Sequence, residues 1–182
     1  MNAVAALVLA TVLAPGASLR PDAEQTAYVS SHLEAWRAGW ITWIGAAISL
    51  LAFFRWWAAR LDRSRVVIAA LAFATIGVGL DVTAESLLIA HSPERYLELA
   101  PSALRLSGVG ANGLYSIAGA LLTLRTPALP RWLAAWTWLV WLMGALLALA
   151  AAIGSDRASE AATVVLFALF LPWLIFFGRR IA

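Results

Sequence analysis

The sequence predicts an all-α fold, a polytopic transmembrane bundle, and three observations lead there. Of 182 residues, 63% are hydrophobic and only 13% are charged, whereas a soluble domain carries roughly 45–50% and about 25%. The mean hydropathy is +0.83, an apolar excess that so small a core cannot hide. Apolar stretches near the roughly 20 residues needed to cross a bilayer recur along the chain. The length suits one unit, so residues 1–182 read as a single integral membrane domain. With no cysteine, a disulfide scaffold, a zinc ribbon and an iron–sulfur protein are excluded.

The first segment, Asn2 to Leu19, is short and is interrupted by Ala14-Pro15-Gly16. Its length and small-residue end resemble a signal peptide, but no Lys or Arg supplies an n-region. The leading expectation is a retained spanning helix, which makes six crossings. If residues 2–19 are instead an interfacial or uncleaved anchor, or a processed signal, five remain. Pro21, with Asp22 and Glu24 behind it, predicts a short surface helix near 21–30. Ser31 and Glu34 have the spacing of a capping box ahead of the second segment.

Five longer segments follow, at Ala38–Ala58, Val66–Ala90, Leu104–Leu124, Trp132–Ile153 and Ala161–Phe177. Ser92 and Pro93 look like an N-cap and a first-turn proline, placing a second surface helix near 92–99. Pro130 plays the same part for the fifth segment. Pro172 lies inside the sixth, where it should free the Ala168 carbonyl and kink the helix.

Charge sets the orientation. All 13 basic residues are arginine. Alternate connections collect Arg55, Arg60, Arg63, Arg65, Arg125, Arg131, Arg179 and Arg180 against one acid, Asp62. The opposite side holds Arg20, Arg37, Arg95, Arg105 and Arg157 against seven acids. The positive-inside rule then puts both termini in the cytoplasm under the six-helix reading. The acidic loops 20–37, 91–105 and 154–160 fall outside. Arginines scattered in ones and twos do not make a phosphate-binding stripe, so a nucleic-acid partner is not expected.

Indole rings prefer the headgroup level, and most of the ten tryptophans read as anchors there. Trp36, Trp40 and Trp43 mark one end of the second segment, and Trp56 and Trp57 its other end. Trp132, Trp136 and Trp138 mark the inner end of the fifth. Trp141, deeper in its helix, is the candidate for packing or ligand contact.

Asp81 and Glu85 are the most informative residues, lying inside the third segment at an i,i+4 spacing that puts both carboxyls on one face. From a midpoint near Val78, Asp81 sits about 4–5 Å and Glu85 about 10 Å towards the outside. A carboxylate near the bilayer centre costs roughly 2.5–3.5 kcal/mol on insertion scales. Desolvation and mutual repulsion both oppose ionisation of such a pair, so at least one proton is expected on it near neutral pH, with coupled titration.

The fourth segment offers partners. Arg105, Gly108, Asn112, Ser116, Gly119 and Thr123 recur at steps of three and four, making one small or polar face. The expectation is a Glu85–Arg105 pair, with Asp81 bonded to Asn112 or Tyr115 deeper in. A bundle-holding hydrogen bond or ion pair would account for the same residues without any ligand. His32 and His91, with Glu94 among nearby carboxylates, are weak candidates for an external metal site. They lack the spacing of a recognised ligand pair, and charged loops explain them equally well. No P-loop, nucleophile elbow or HExxH is present, and the Gly108-Val109-Gly110 run with Gly113 follows no strand. No cofactor is indicated.

Three functions fit. Foremost is binding or translocation of a proton, cation or small solute through Asp81, Glu85, Arg105, Asn112 and Tyr115. A non-catalytic subunit would instead assemble with itself or a membrane partner through its Trp and Gly faces. An enzyme would use the carboxyls as acid and base on a lipid-like substrate. Beyond such partners, only the bilayer itself is expected to contact the chain.

Overall fold

The computed structural model describes residues 1–14, 21–127 and 129–181. All regular structure among them is helical. An N-terminal helix α1 (Asn2–Val8) continues as a π-helical turn π1 (Leu9–Leu13), and α2 (Asp22–Ser31) leads into α3 (Leu33–Ala58). Then come α4 (Arg65–His91), α5 (Tyr96–Leu104), the π-helical segment π2 (Arg105–Ala111), α6 (Asn112–Arg125), α7 (Arg131–Ala152) and α8 (Asp156–Ile181).

Four helices, α3, α4, α7 and α8, are long and apolar enough to cross a membrane. At 1.5 Å per residue the 26 residues of α3 reach about 39 Å. The six expected crossings are not matched by six such helices. α1 and π1 together make a short apolar helix, Asn2–Leu13, about 18 Å long and well short of the hydrocarbon core. It lies antiparallel along α3: Asn2 Nδ2 donates to Ser49 Oγ at 3.1 Å, while Leu13 packs on Gly39. The remainder of that predicted segment, with Pro15 and Gly16, lies outside the described residues, as does Arg20. The fourth predicted segment is divided among α5, π2 and α6, whose junction residues Leu104, Arg105, Ala111 and Asn112 all keep right-handed helical backbone.

α4 is the centre of the bundle, packed on α3, α5, π2 and α6, while α7 joins α6 to α8. Its inward face is one stripe: Val67, Ala70, Ala74, Gly77, Val78, Asp81, Ala84, Glu85 and Leu88 are buried. Those steps of three and four are the helical period that the sequence carries.

Two local expectations are corrected. Ser31 does not cap α3: it ends α2, where its hydroxyl donates to the Ala27 carbonyl at 2.8 Å. His32 precedes α3 without a side-chain cap bond, because a serine already inside a helical turn bonds backwards along it. The second surface helix is not at 92–99 either. Ser92 closes α4 in extended conformation, a turn follows, and α5 starts only at Tyr96. Pro21 and Pro130, by contrast, precede α2 and α7 as expected.

The tryptophan reading also changes. Trp36 and Trp57, expected at the rim, are buried inside the bundle, as are Trp141 and Trp173. Trp132 and Trp138, at 56% and 43% exposure, remain outside. At one end of the bundle Phe54, Trp57, Trp141, Trp173 and Phe177 form a continuous aromatic core, with Trp57 and Phe177 centroids 4.6 Å apart at a steep angle. Three indoles there repeat one device. Trp57 donates to Thr126 Oγ1, Trp141 to Thr123 Oγ1 and Trp173 to Thr137 Oγ1, at 2.9, 3.0 and 2.9 Å. Each threonine hydroxyl passes its own hydrogen to the carbonyl four residues back. Gly119 admits this packing, since a Cβ there would collide with the Trp141 ring. Trp141 is therefore a packing residue, one of the two roles expected of it.

Candidate functional site

The inward stripe of α4 carries its two carboxyls against the stretch from π2 to α6. Asp81 is 6% exposed and Glu85 1%. Tyr115 Oη donates to Asp81 Oδ2 at 2.7 Å. Gly77 lets that ring in, because a Cβ at residue 77 would stand 2.7 Å from Tyr115 Cε1. The same ring stacks on Phe54, with centroids 6.3 Å apart, so Tyr115 joins the carboxyl site to the aromatic core. Asp81 Oδ1 has no hydrogen-bond partner, although the Ser107 hydroxyl approaches that carboxyl. Ser107 was not among the expected site residues, and only its place on π2 brings it there.

Glu85 has no hydrogen-bond partner at either oxygen. Among the described residues no ion pair joins it to Arg105, whose side chain is exposed. Asn112 is also not on Asp81; its Nδ2 donates to the Ser107 carbonyl at 3.1 Å. One cause explains both departures. The face of small and polar residues was drawn with α-helical spacing, but the backbone widens at π2. The buried positions there run from Ala103 to Gly108, a step of five, which leaves Arg105 off the inward face. Asn112 reaches back over the same five-residue step to Ser107.

Beyond Glu85, a second packed cluster comprises Leu13, Val29, Trp36, Ala84, Leu88, Tyr96 and Ala103, with Trp40 against them. Trp36 meets Tyr96 edge-on, centroids 5.2 Å apart. The Trp36 and Trp40 Nε1 atoms and Ser92 Oγ are buried without a partner, and Arg37 Nε and Nη2 close the end of α4 on the Ile89 and Ser92 carbonyls, each at 3.2 Å.

The metal candidates do not converge. His32 stacks on Tyr28 with centroids 4.5 Å apart, His91 Nδ1 sits 3.1 Å from the Leu87 carbonyl, and Glu94 is exposed. Among the described residues no group of three His, Asp, Glu or Cys could hold a metal ion.

Helices of this length and apolarity, in an all-helical chain rich in tryptophan, point to a multi-pass integral membrane protein. No protein-family model, no curated protein and no solved structure matches the chain.

Proposed function

We propose that this chain is a single integral membrane domain whose bundle holds an exchangeable proton on the Asp81–Glu85 pair. The observation that carries the reading is Glu85, buried at membrane depth with neither oxygen partnered. A bare carboxylate in that place would bear a desolvation cost of several kcal/mol without compensation. A proton cancels that charge and needs no cavity. A metal cation would need several ligands, and among the described residues no group of three His, Asp, Glu or Cys gathers here. The ligand requirement thus favours the proton over a metal cation.

Asp81 is the second site of the pair, with its charge shared by Tyr115 and within influence of Ser107. The reading takes α3, α4, the run α5–π2–α6, α7 and α8 as five crossings, with the arginine-rich end cytoplasmic by the positive-inside rule. Proton exchange is then served from the Glu85 end, because the aromatic core beyond Tyr115 offers no further titratable group in line.

Infrared spectroscopy of the reconstituted protein tests this directly. A protonated-carboxyl C=O stretch should be present in the wild type and lost in Glu85→Gln. It should shift in Asp81→Asn, with circular dichroism unchanged. A spectrum without that band, or one that keeps it in Glu85→Gln, would overturn the reading.

A further inference from the structure

The two ends of the bundle differ in what their arginines touch. At the Glu85 end the guanidiniums find carboxylates: Arg95 Nη2 lies 2.7 Å from Glu98 Oε1, and Arg37 Nη1 lies 3.6 Å from Glu34 Oε1. At the opposite end the helix termini bring together Arg60, Arg65, Arg125, Arg131, Arg179 and Arg180, all exposed. Among the described residues none of these is in an ion pair, and Asp62 is the single acid nearby in sequence.

Tertiary contacts make this one surface. Trp57 bonds Thr126 at 2.9 Å, tying the end of α3 to the α6–α7 connection. Trp132 meets Phe176 edge-on at 6.1 Å, which holds the start of α7, with Arg131, against the last turns of α8, with Arg179 and Arg180. The Arg60 guanidinium lies 3.9 Å over the Trp56 ring and donates to the Trp56 carbonyl at 3.0 Å. Trp132 is 56% exposed at the same level, where an indole suits the headgroup region.

We propose that this end of the bundle binds the phosphate headgroups of anionic phospholipids. Guanidinium forks match phosphate oxygens two at a time. A surface of one sign at the tips of apolar helices lies where headgroups are, and juxtamembrane basic residues attract anionic lipid. The charge balance selects anionic over zwitterionic lipid, because Asp62 alone stands against six exposed arginines and leaves little carboxylate to receive the choline. The inference needs the chain to be a membrane protein but is independent of the carboxyl pair.

The test is quenching of tryptophan fluorescence in nanodiscs by brominated phosphatidylglycerol or brominated phosphatidylcholine. Phosphatidylglycerol should be preferred, and the preference should fall by roughly fivefold per arginine removed across Arg125→Gln, Arg131→Gln and Arg179→Gln. High salt should abolish it in the wild type, and Arg105→Gln at the other end should leave it intact. Equal quenching by the two lipids in the wild type would overturn the proposal. So would displacement of the preference by millimolar-range inorganic phosphate, which would mark a free-anion site.

Discussion

One half of this molecule leaves none of its buried side-chain polar atoms unpartnered among the described residues; the other half leaves seven. Around Trp57, Trp141 and Trp173 each indole N–H meets a threonine, and each threonine meets a carbonyl. Towards His91, Trp36, Trp40, Asp81, Glu85, Ser92 and Ser159 all carry buried polar atoms with no partner. Both halves share α3 and α4 and both bury tryptophan, so the presence of buried indoles does not by itself distinguish them. A fully satisfied aromatic core is what stability alone would produce. Unpaired buried groups oppose stability, and a chain that keeps them trades stability for something else. That contrast is the physical ground for placing function in the Glu85 half.

Substitutions can break or sharpen the contrast. The largest effect is expected for Trp173→Ala, which empties the centre of the aromatic core and removes the indole donor to Thr137 Oγ1. It should destabilise by about 3–5 kcal/mol, read as a fall in the unfolding midpoint in detergent. A loss under one kcal/mol would mean that this half is not the stabilising one. Glu85→Leu should move the other way. It removes two unpartnered oxygens from an apolar setting at similar volume, so stability should rise by about 1–3 kcal/mol. A drop would show that Glu85 has a stabilising partner after all. Thr137→Val tests the indole–threonine device with the core volume kept. Leaving Trp173 Nε1 unsatisfied should cost about 1–2 kcal/mol, and no change in the midpoint would reduce the repeated bond to decoration.

Much of the architecture was legible in the residues. Hydropathy and length located α3, α4, α7 and α8, and Pro21 and Pro130 marked two helix starts, because those signals act within a few residues of where they are read. The i,i+4 spacing of Asp81 and Glu85 set both on one face for the same reason, and their depth in an apolar run made burial of that face necessary. The Asp81–Tyr115 bond was among the options written there. Within the candidate site, what failed was the polar face carried from Arg105 to Asn112 across π2. Nothing in Arg105 to Ala111 announces a π-helical step, and one widened turn moved Arg105 out of the site and Ser107 towards it.

By its own composition the chain determines that it is helical, that four helices have the length and apolarity of membrane crossings, and that two carboxyls fall within one of them. These follow from local rise, period and transfer free energy. Only the packed bundle decided which tryptophans are core and that, among the described residues, Glu85 has no counter-charge and the arginines of one end are in no ion pair. Such outcomes depend on which helices meet and at what rotation, and side-chain contacts between distant segments have no local signature to read.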